Sequence, residues 1–110
     1  MKYNFSGTTF NDIVNWLNRQ NRFGQFERDL INITPASVSA DSVSEQTFTI
    51  KRISTDDSVI VEYTGAQTAG VGILSARVSA ADTLAISFIN PTGSAATPAA
   101  GDYRLIRLYA

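Results

Sequence analysis

The chain has 110 residues, of which 44% are hydrophobic and 17% are charged, and its net charge is −1 at pH 7. This length and composition fit one globular domain with a modest core, and they exclude wholesale disorder. Cysteine and histidine are both absent, which excludes disulfides, thiolate chemistry and the side chain that most often moves protons or binds transition metals near neutral pH.

The first 28 residues differ in composition from the rest. They hold six of the eleven aromatic residues, and they carry four basic against two acidic side chains. The remaining residues carry five basic against eight acidic side chains. We therefore predict two parts, an N-terminal arm over residues 1–28 and a β-sandwich domain over residues 29–110.

Residues 8–20, TTFNDIVNWLNRQ, predict a short helix within the arm. Thr8 or Thr9 can cap it, and Trp16 lies at the flank of its apolar stripe. The stripe has the spacing i, i+3, i+4 and i+7, and it consists of Phe10, Ile13, Val14 and Leu17. A helix of about three turns is marginal in isolation, so we expect it to dock on something.

From Asp29 onward the hydrophobic period becomes twofold, which predicts β-strands. The predicted strands cover residues 29–34, 46–53, 58–64, 71–79, 83–90 and 102–109. Turn-forming residues separate them, and Ala81-Asp82 predicts a tight hairpin turn. Short strands at fairly even spacing predict an all-β fold, a small antiparallel β-sandwich of the jelly-roll-like kind, preceded by the short N-terminal helix.

Several predicted strands are apolar on both faces. Ile60 follows Val59, Leu74 follows Ile73 and Ile89 follows Phe88, so apolar residues occupy both faces there. In the last strand, Ile106 is opposed by Tyr103, Leu105 and Tyr109. One interpretation is that loops or the N-terminal helix cover the second face. The other is that this face packs against another subunit.

Candidate reactive groups are few, and none forms a recognisable catalytic or metal-binding pattern. Asp56 and Asp57, with Glu62 or Asp82, lack the spacing of a calcium loop. A serine nucleophile would need a base that the chain does not offer at a suitable spacing. We expect no catalytic residue, no cofactor and no metal. Arg77, Arg104 and Arg107 could form a basic strip, but salt bridges or a subunit contact are the favoured interpretation.

The C-terminal strands carry a recognisable pattern, VSAADT at residues 78–83, FINPT at residues 88–92, and then Gly101, Tyr103 and Leu105-Ile106. This pattern, over about 40 residues, resembles one found in small structural proteins of tailed bacteriophages, some of which are similar to head decoration or cement proteins. The resemblance implies a virion protein without enzymatic activity that decorates and stabilises the capsid surface, after assembly in the bacterial cytoplasm.

We expect the arm to bind the partner, which would be the major capsid protein or another virion protein. The predicted partner-binding residues are Tyr3, Phe5, Phe10, Trp16, Arg19, Arg22, Phe23 and Phe26. The sandwich is expected to form a homo-oligomer, with a trimer favoured, and neither nucleic acid nor membrane is an expected partner.

Three alternatives stay open at this point. The chain could be a tail, fibre or collar component of the virion. It could also be a glycan-binding β-sandwich, for which the available stacking residues are Trp16, Tyr63, Tyr103 and Tyr109. An enzyme that uses carboxylates alone is the third alternative.

Overall fold

The structure is a computed structural model that describes residues 25–109, and it confirms the all-β prediction. Six strands form two three-stranded antiparallel sheets, and no helix occurs within the described residues. The predicted helix over residues 8–20 lies outside them. The strands are β1 (Gln25–Ile33), β2 (Ser42–Thr49), β3 (Ser58–Tyr63), β4 (Gly72–Ala80), β5 (Thr83–Asn90) and β6 (Gly101–Tyr109).

The strand pairing is nested. Sheet 1 has the order β1-β6-β3, and sheet 2 has the order β2-β5-β4. The first strand pairs with the last, from Gln25 opposite Tyr109 to Ile33 opposite Gly101. The second strand pairs with the fifth, from Ser42 opposite Asn90 to Thr49 opposite Thr83. Both central strands, β6 and β5, therefore come from the C-terminal part of the chain.

The core lies between the two sheets and explains why these segments are strands. Side chains alternate between the two faces of a strand, and one face of each sheet is apolar and buried. At the centre, the rings of Phe88 and Tyr103 meet nearly edge to face, with centroids 6.5 Å apart. The buried hydrophobic cluster consists of Ile31, Ile33, Val38, Ile53, Val61, Val78, Leu84, Ile86, Phe88, Tyr103 and Leu105. The result is a small β-sandwich-like fold.

Strand β1 begins four residues earlier than predicted, at Gln25, so the end of the predicted arm is part of sheet 1. Phe26 pairs with Leu108, and Glu27 pairs with Arg107. The charged residues from Glu27 to Asp29 do not alternate between apolar and polar, so the sequence pattern did not predict a strand there. They form a strand because they pair with β6.

Strand β2 is displaced from its predicted position, and it ends at Thr49 rather than at residue 53. Residues 50–53 instead bind the tip of the β4-β5 hairpin. Asp82 is the centre of this contact: its carbonyl accepts a hydrogen bond from Ile50 N at 3.0 Å, and its own N–H donates to Ile53 O at 3.0 Å. Asp82 has a φ of 57°, as required in the tight turn that the sequence predicts at Ala81-Asp82.

A single buried amide joins the two long loops at the other end of the sandwich. Asn90 Nδ2 donates to the carbonyl oxygens of Val38 at 3.1 Å and Ser94 at 2.9 Å. Its Oδ1 accepts hydrogen bonds from Thr92 N at 3.0 Å and Thr92 Oγ1 at 2.6 Å. The FINPT segment is thus a structural motif, because Asn90 fixes both loops against the end of β5.

Candidate functional site

The outward side of sheet 1 carries a group of apolar side chains, which we call the apolar face; Arg28 lies among them, opposite Ile106, and Leu30 lies opposite Arg104. Because Ile31, Tyr103 and Leu105 point into the core, their neighbours in sequence point outward. In the register of the sheet, Phe26 lies beside Leu108, and Ile106 lies beside Ile60. The apolar face consists of Phe26, Leu30, Ile60, Ile106 and Leu108.

Three of these side chains are highly exposed in the described residues, at 68% for Phe26, 65% for Leu30 and 56% for Ile60. Ile106 and Leu108, on the central strand, are half-buried between them. Isolated exposed apolar residues are common on protein surfaces. A group that spans all three strands of one sheet is the kind of surface that marks an interaction site.

The far end of the same side of sheet 1 is polar. Arg104 forms a salt bridge with Glu62 on the neighbouring strand, and Asn32 Nδ2 donates to Asp102 Oδ1 at 3.3 Å. Phe26, Leu108, Ile106 and Ile60 therefore lie at the end of the sheet where β1 begins, and Leu30 borders the polar end, beside Arg104. Any partner of this side of the sheet would meet apolar residues at one end, with Arg28 among them, and polar residues at the other end.

The outward side of sheet 2 has a different character. Glu45 and Arg77 form a two-pronged salt bridge, with N···O distances of 3.0 and 2.9 Å, above the small residue Ser87. The hydrogen bond from Arg77 lowers the pKa of Glu45, and Glu45 raises the pKa of Arg77. Val43 is the one highly exposed large apolar residue on β2. This side of the sandwich is therefore mostly polar, as is usual for a surface that faces solvent.

A second apolar area lies where the open edges of β3 and β4 approach each other. A groove of about 360 Å³ runs between them, and it is lined by Val59, Ile60, Val61, Ile73, Leu74, Ser75 and Ala76. Leu74 is 56% exposed and lies at a β-bulge between Ile73 and Ser75. A bulge at the edge of a sheet re-aims side chains and limits uncontrolled strand pairing. We call this area the edge groove.

The three arginines do not form the basic strip that the sequence allowed, because they lie on three different surfaces. Arg77 is on the outward side of sheet 2, and Arg104 is on the outward side of sheet 1. Arg107 points inward and is buried. Each has a carboxylate partner, which confirms the salt-bridge interpretation.

Arg107 organises the charged end of the core. Its guanidinium donates to Arg52 O, lies 3.3 Å from Glu27 Oε2 and lies 3.8 Å from Asp57 Oδ2. A hydrogen bond with the Glu27 carboxyl raises the pKa of Asp29, and partial burial acts in the same direction. These groups hold the 51–57 loop against sheet 1.

Two of the carboxylates considered as cation ligands, Asp57 and Asp82, accept backbone hydrogen bonds within the fold. Asp57 Oδ2 accepts a hydrogen bond from Ser54 N at 3.0 Å, and Asp82 Oδ1 accepts one from Arg52 N at 2.8 Å. Within residues 25–109 no group of three or more potential ligands is arranged to hold a metal ion. The same residues include no helix that could cross a bilayer.

The tyrosines considered for sugar stacking are structural where the structure describes them. Tyr103 is fully buried, and its hydroxyl donates to Ala99 O at 2.7 Å and accepts a hydrogen bond from Gln67 Nε2 at 3.1 Å. Burial raises the pKa of Tyr103. Tyr63 packs on it, with ring centroids 4.8 Å apart. The Tyr103 ring is not accessible to a ligand. Trp16 lies outside the described residues, and the structure does not describe the side chain of Tyr109.

Among the predicted partner-binding residues, the structure describes Phe26, which is exposed on the apolar face. The others, residues 3 to 23, lie outside the described part of the chain and remain predictions. The sequence prediction did not assign Leu30, Ile60 or Leu74 to the site. The interruptions in alternation at Ile60 and Leu74 were the signal that could have identified them.

No protein-family model matches the chain, and neither a curated protein nor a solved structure matches it. Function is therefore inferred from the geometry of the described residues and from the sequence itself.

Proposed function

We propose that the chain is a structural protein of a tailed bacteriophage virion, without enzymatic activity, that decorates the capsid and stabilises it. In this proposal the N-terminal aromatic arm binds the shell, and the sandwich associates with further copies of itself. Binding to the assembled shell alone stabilises that state by mass action. A tail, fibre or collar position in the virion is the alternative within the same class.

The observation that carries the proposal is the placement of exposed apolar side chains. Phe26, Leu30 and Ile60 are exposed on one side of sheet 1, and Leu74 is exposed at the edge groove. They are concentrated on sheet 1 and on the adjoining edges of β3 and β4, which is the distribution expected of a protein that associates through one part of its surface.

The strand order adds a second line of support. Nested pairs, β1 with β6 and β2 with β5, arise when a long hairpin is folded over on itself. This winding is characteristic of jelly rolls, which recur in viral capsid domains. We therefore assign the sandwich to the jelly-roll-like class, in a version with two three-stranded sheets. The sequence resemblance of the C-terminal strands to phage virion proteins points in the same direction.

The arm offers enough apolar area for a durable contact. Six aromatic side chains that bury about 150–250 Å² each amount to roughly 1,000 Å². Burying half of that area gives a gross term of about 12 kcal/mol at about 25 cal/mol per Å². Association and ordering costs remove much of it. The free energy that remains can still give a stable contact if the arm aromatics are packed together at the interface.

Self-association is tested by placing a charge in the edge groove. We expect Leu74→Lys to convert an oligomer into a monomer, measured as the molar mass in solution by light scattering or sedimentation. Val43→Lys is the matched control, because Val43 is similarly exposed at 52% but lies on the other edge of sheet 2. A monomeric unsubstituted protein at micromolar concentration, or an oligomer that Leu74→Lys leaves intact, would overturn the edge groove as the contact.

Shell binding is tested by co-sedimentation with empty capsids of the phage whose genome encodes the chain. The full chain is expected to pellet with the capsids, and Trp16→Ala combined with Phe23→Ala should reduce binding at least tenfold while preserving the oligomeric mass. Failure of the unsubstituted protein to bind the capsids excludes decoration. Binding to purified tails instead supports the alternative position.

A further inference from the structure

The position at which the N-terminal segment joins the sandwich has a specific geometric consequence. Strand β1 begins at Gln25, and Phe26 is its first outward-facing residue that the structure describes. Residues 1–24 therefore enter the fold at the apolar end of the outward side of sheet 1, directly beside Phe26 and Leu108.

The predicted helix and sheet 1 match in size. A helix over residues 8–20 would be about 20 Å long and about 10 Å wide with its side chains. The three strands of sheet 1 span about 10 Å across, and a nine-residue strand is about 30 Å long. One short helix therefore covers the width of this sheet, and it does not extend beyond the length of β1.

The connection between the two is short but sufficient. Residues 21–24 separate the predicted helix from β1, and four residues reach at most about 14 Å. This length allows the chain to turn back across the sheet at the Phe26 end. Because the helix is tethered there, its effective concentration at the face is in the millimolar range. A second copy at micromolar concentration competes poorly with a segment already attached.

The chemistry of the two surfaces also matches. The predicted helix has one apolar stripe and is too short to be stable without docking. The apolar face presents Phe26, Leu30 and Ile60 with no covering element among the described residues. Burying a large aliphatic or aromatic side chain yields about 1.5–3 kcal/mol, so several such contacts would hold a three-turn helix in place.

We infer that residues 8–20 dock through their apolar stripe on the apolar face of the same chain and form a third layer on sheet 1. The stripe residues Phe10, Ile13, Val14 and Leu17 contact the sheet. By helical spacing, Arg19 then lies on the side away from the sheet and Trp16 lies at the flank. The inference goes beyond the proposed function and needs no virion partner. It assigns Phe10 and Phe26 to the fold of the chain itself, so the arm's contact with the shell then depends on Tyr3, Phe5, Trp16 and Phe23.

Hydrogen exchange of the full chain, followed by mass spectrometry, tests this docking. Peptides within residues 8–20 should exchange at least tenfold more slowly than expected for an unstructured segment. Leu30→Lys and Ile60→Lys should each remove that protection, since both place a charge under the stripe. Val43→Lys is the matched control on sheet 2, and it should leave the protection unchanged. Retained protection of β5 peptides verifies that each variant folds.

The single tryptophan supplies a second readout. Trp16 fluorescence should shift to longer wavelength in Leu30→Lys and Ile60→Lys but not in Val43→Lys. Unprotected residues 8–20 in the unsubstituted protein, or protection that survives both face variants, would overturn the inference. Protection that decreases on dilution, or that is lost in Leu74→Lys, would assign the face to a second copy instead. None of these measurements involves capsid binding, so a failure of the docking inference can be told apart from a failure of the proposed function.

Discussion

The two sheets contribute to the same core with the same number of strands, yet their outward sides differ. Sheet 2 presents threonine, serine and the Glu45–Arg77 salt bridge, with Val43 and Leu74 exposed on its two edge strands, whereas sheet 1 presents Phe26, Leu30 and Ile60 on one side. Core formation does not require apolar residues exposed on every strand of a sheet, because the highly exposed large apolar residues of sheet 2 lie singly on its two edge strands. The apolar side chains of sheet 1 therefore need another explanation, and docking of the arm or of a partner supplies it.

The largest loss of stability is expected from a substitution at Asn90, at the end of sheet 2 that carries the two long loops. Neutral hydrogen bonds rather than apolar contacts hold this end together. Asn90→Ala removes the amide that joins Val38, Ser94 and Thr92, and it leaves buried polar groups without partners. We expect a loss of about 3 kcal/mol in the free energy of unfolding, measured by urea denaturation. An effect below about 1 kcal/mol would show that water replaces the amide in this network.

A smaller loss is expected at the charged end of sheet 1. Arg107→Ala removes a buried guanidinium and leaves Asp57 without its nearby cation, so we expect a loss of about 2 kcal/mol. Arg104→Ala is the control, since its salt bridge with Glu62 is exposed and should contribute less than about 1 kcal/mol. Equal losses for the two variants in urea denaturation would contradict the assignment of Arg107 as the organising residue.

The salt bridge on sheet 2 should give a weak dependence of stability on pH. The pKa of Glu45 is lowered in the folded protein, so its contribution is present above the ordinary glutamate value of 4.5 and is lost as the pH falls through the folded pKa. We expect Glu45→Gln to be slightly less stable than the unsubstituted protein at neutral pH and equal to it in strong acid. Thermal unfolding midpoints across this range measure the difference.

At Asp29 on sheet 1 the dependence of stability on pH is expected to have the opposite sign, and this effect should be the smallest of those predicted here. The pKa of Asp29 is raised mainly by its hydrogen bond with Glu27, while Arg107 and Arg52 act against this shift. Its contribution to stability is therefore complete below the ordinary value of 3.8 and is lost as the pH rises through the folded pKa. Asp29→Asn should be more stable than the unsubstituted protein at neutral pH. If Asp29→Asn has the same unfolding midpoint as the unsubstituted protein at neutral pH, the two sheets do not differ in the sign of their pH dependence.

The sequence predicts the number of strands and the hairpin at Ala81-Asp82, because alternation and turn chemistry are local signals. It misplaces the start of β1 and the end of β2, because both depend on distant partners. Strand β1 is defined by pairing with β6, and residues 50–53 leave the sheet to bind Asp82. Such contacts are invisible to a pattern that extends over a few residues.

The candidate site shows the same division. Composition identifies the aromatic arm, and it includes Phe26, which the structure places on the apolar face. Leu30 and Ile60 lie on the same side of sheet 1, in adjacent rows, only because β6 lies between their strands and sets their register. Leu74 lies at the edge groove because of a β-bulge. The type of each side chain can be read from the sequence, whereas the neighbours of a residue across a sheet depend on strand register.

The nested pairing also has a kinetic consequence. The β4-β5 hairpin closes through a turn of a few residues, whereas Asn32 and Asp102, which face each other across β1 and β6, are 70 residues apart in the chain. Closing so long a loop is entropically costly, so we expect the hairpin to form early and β1 to be added late. A chain that has not yet added β1 would have an unpaired β6 backbone beside Ile106 and Leu108, so we expect aggregation during refolding to start from that edge.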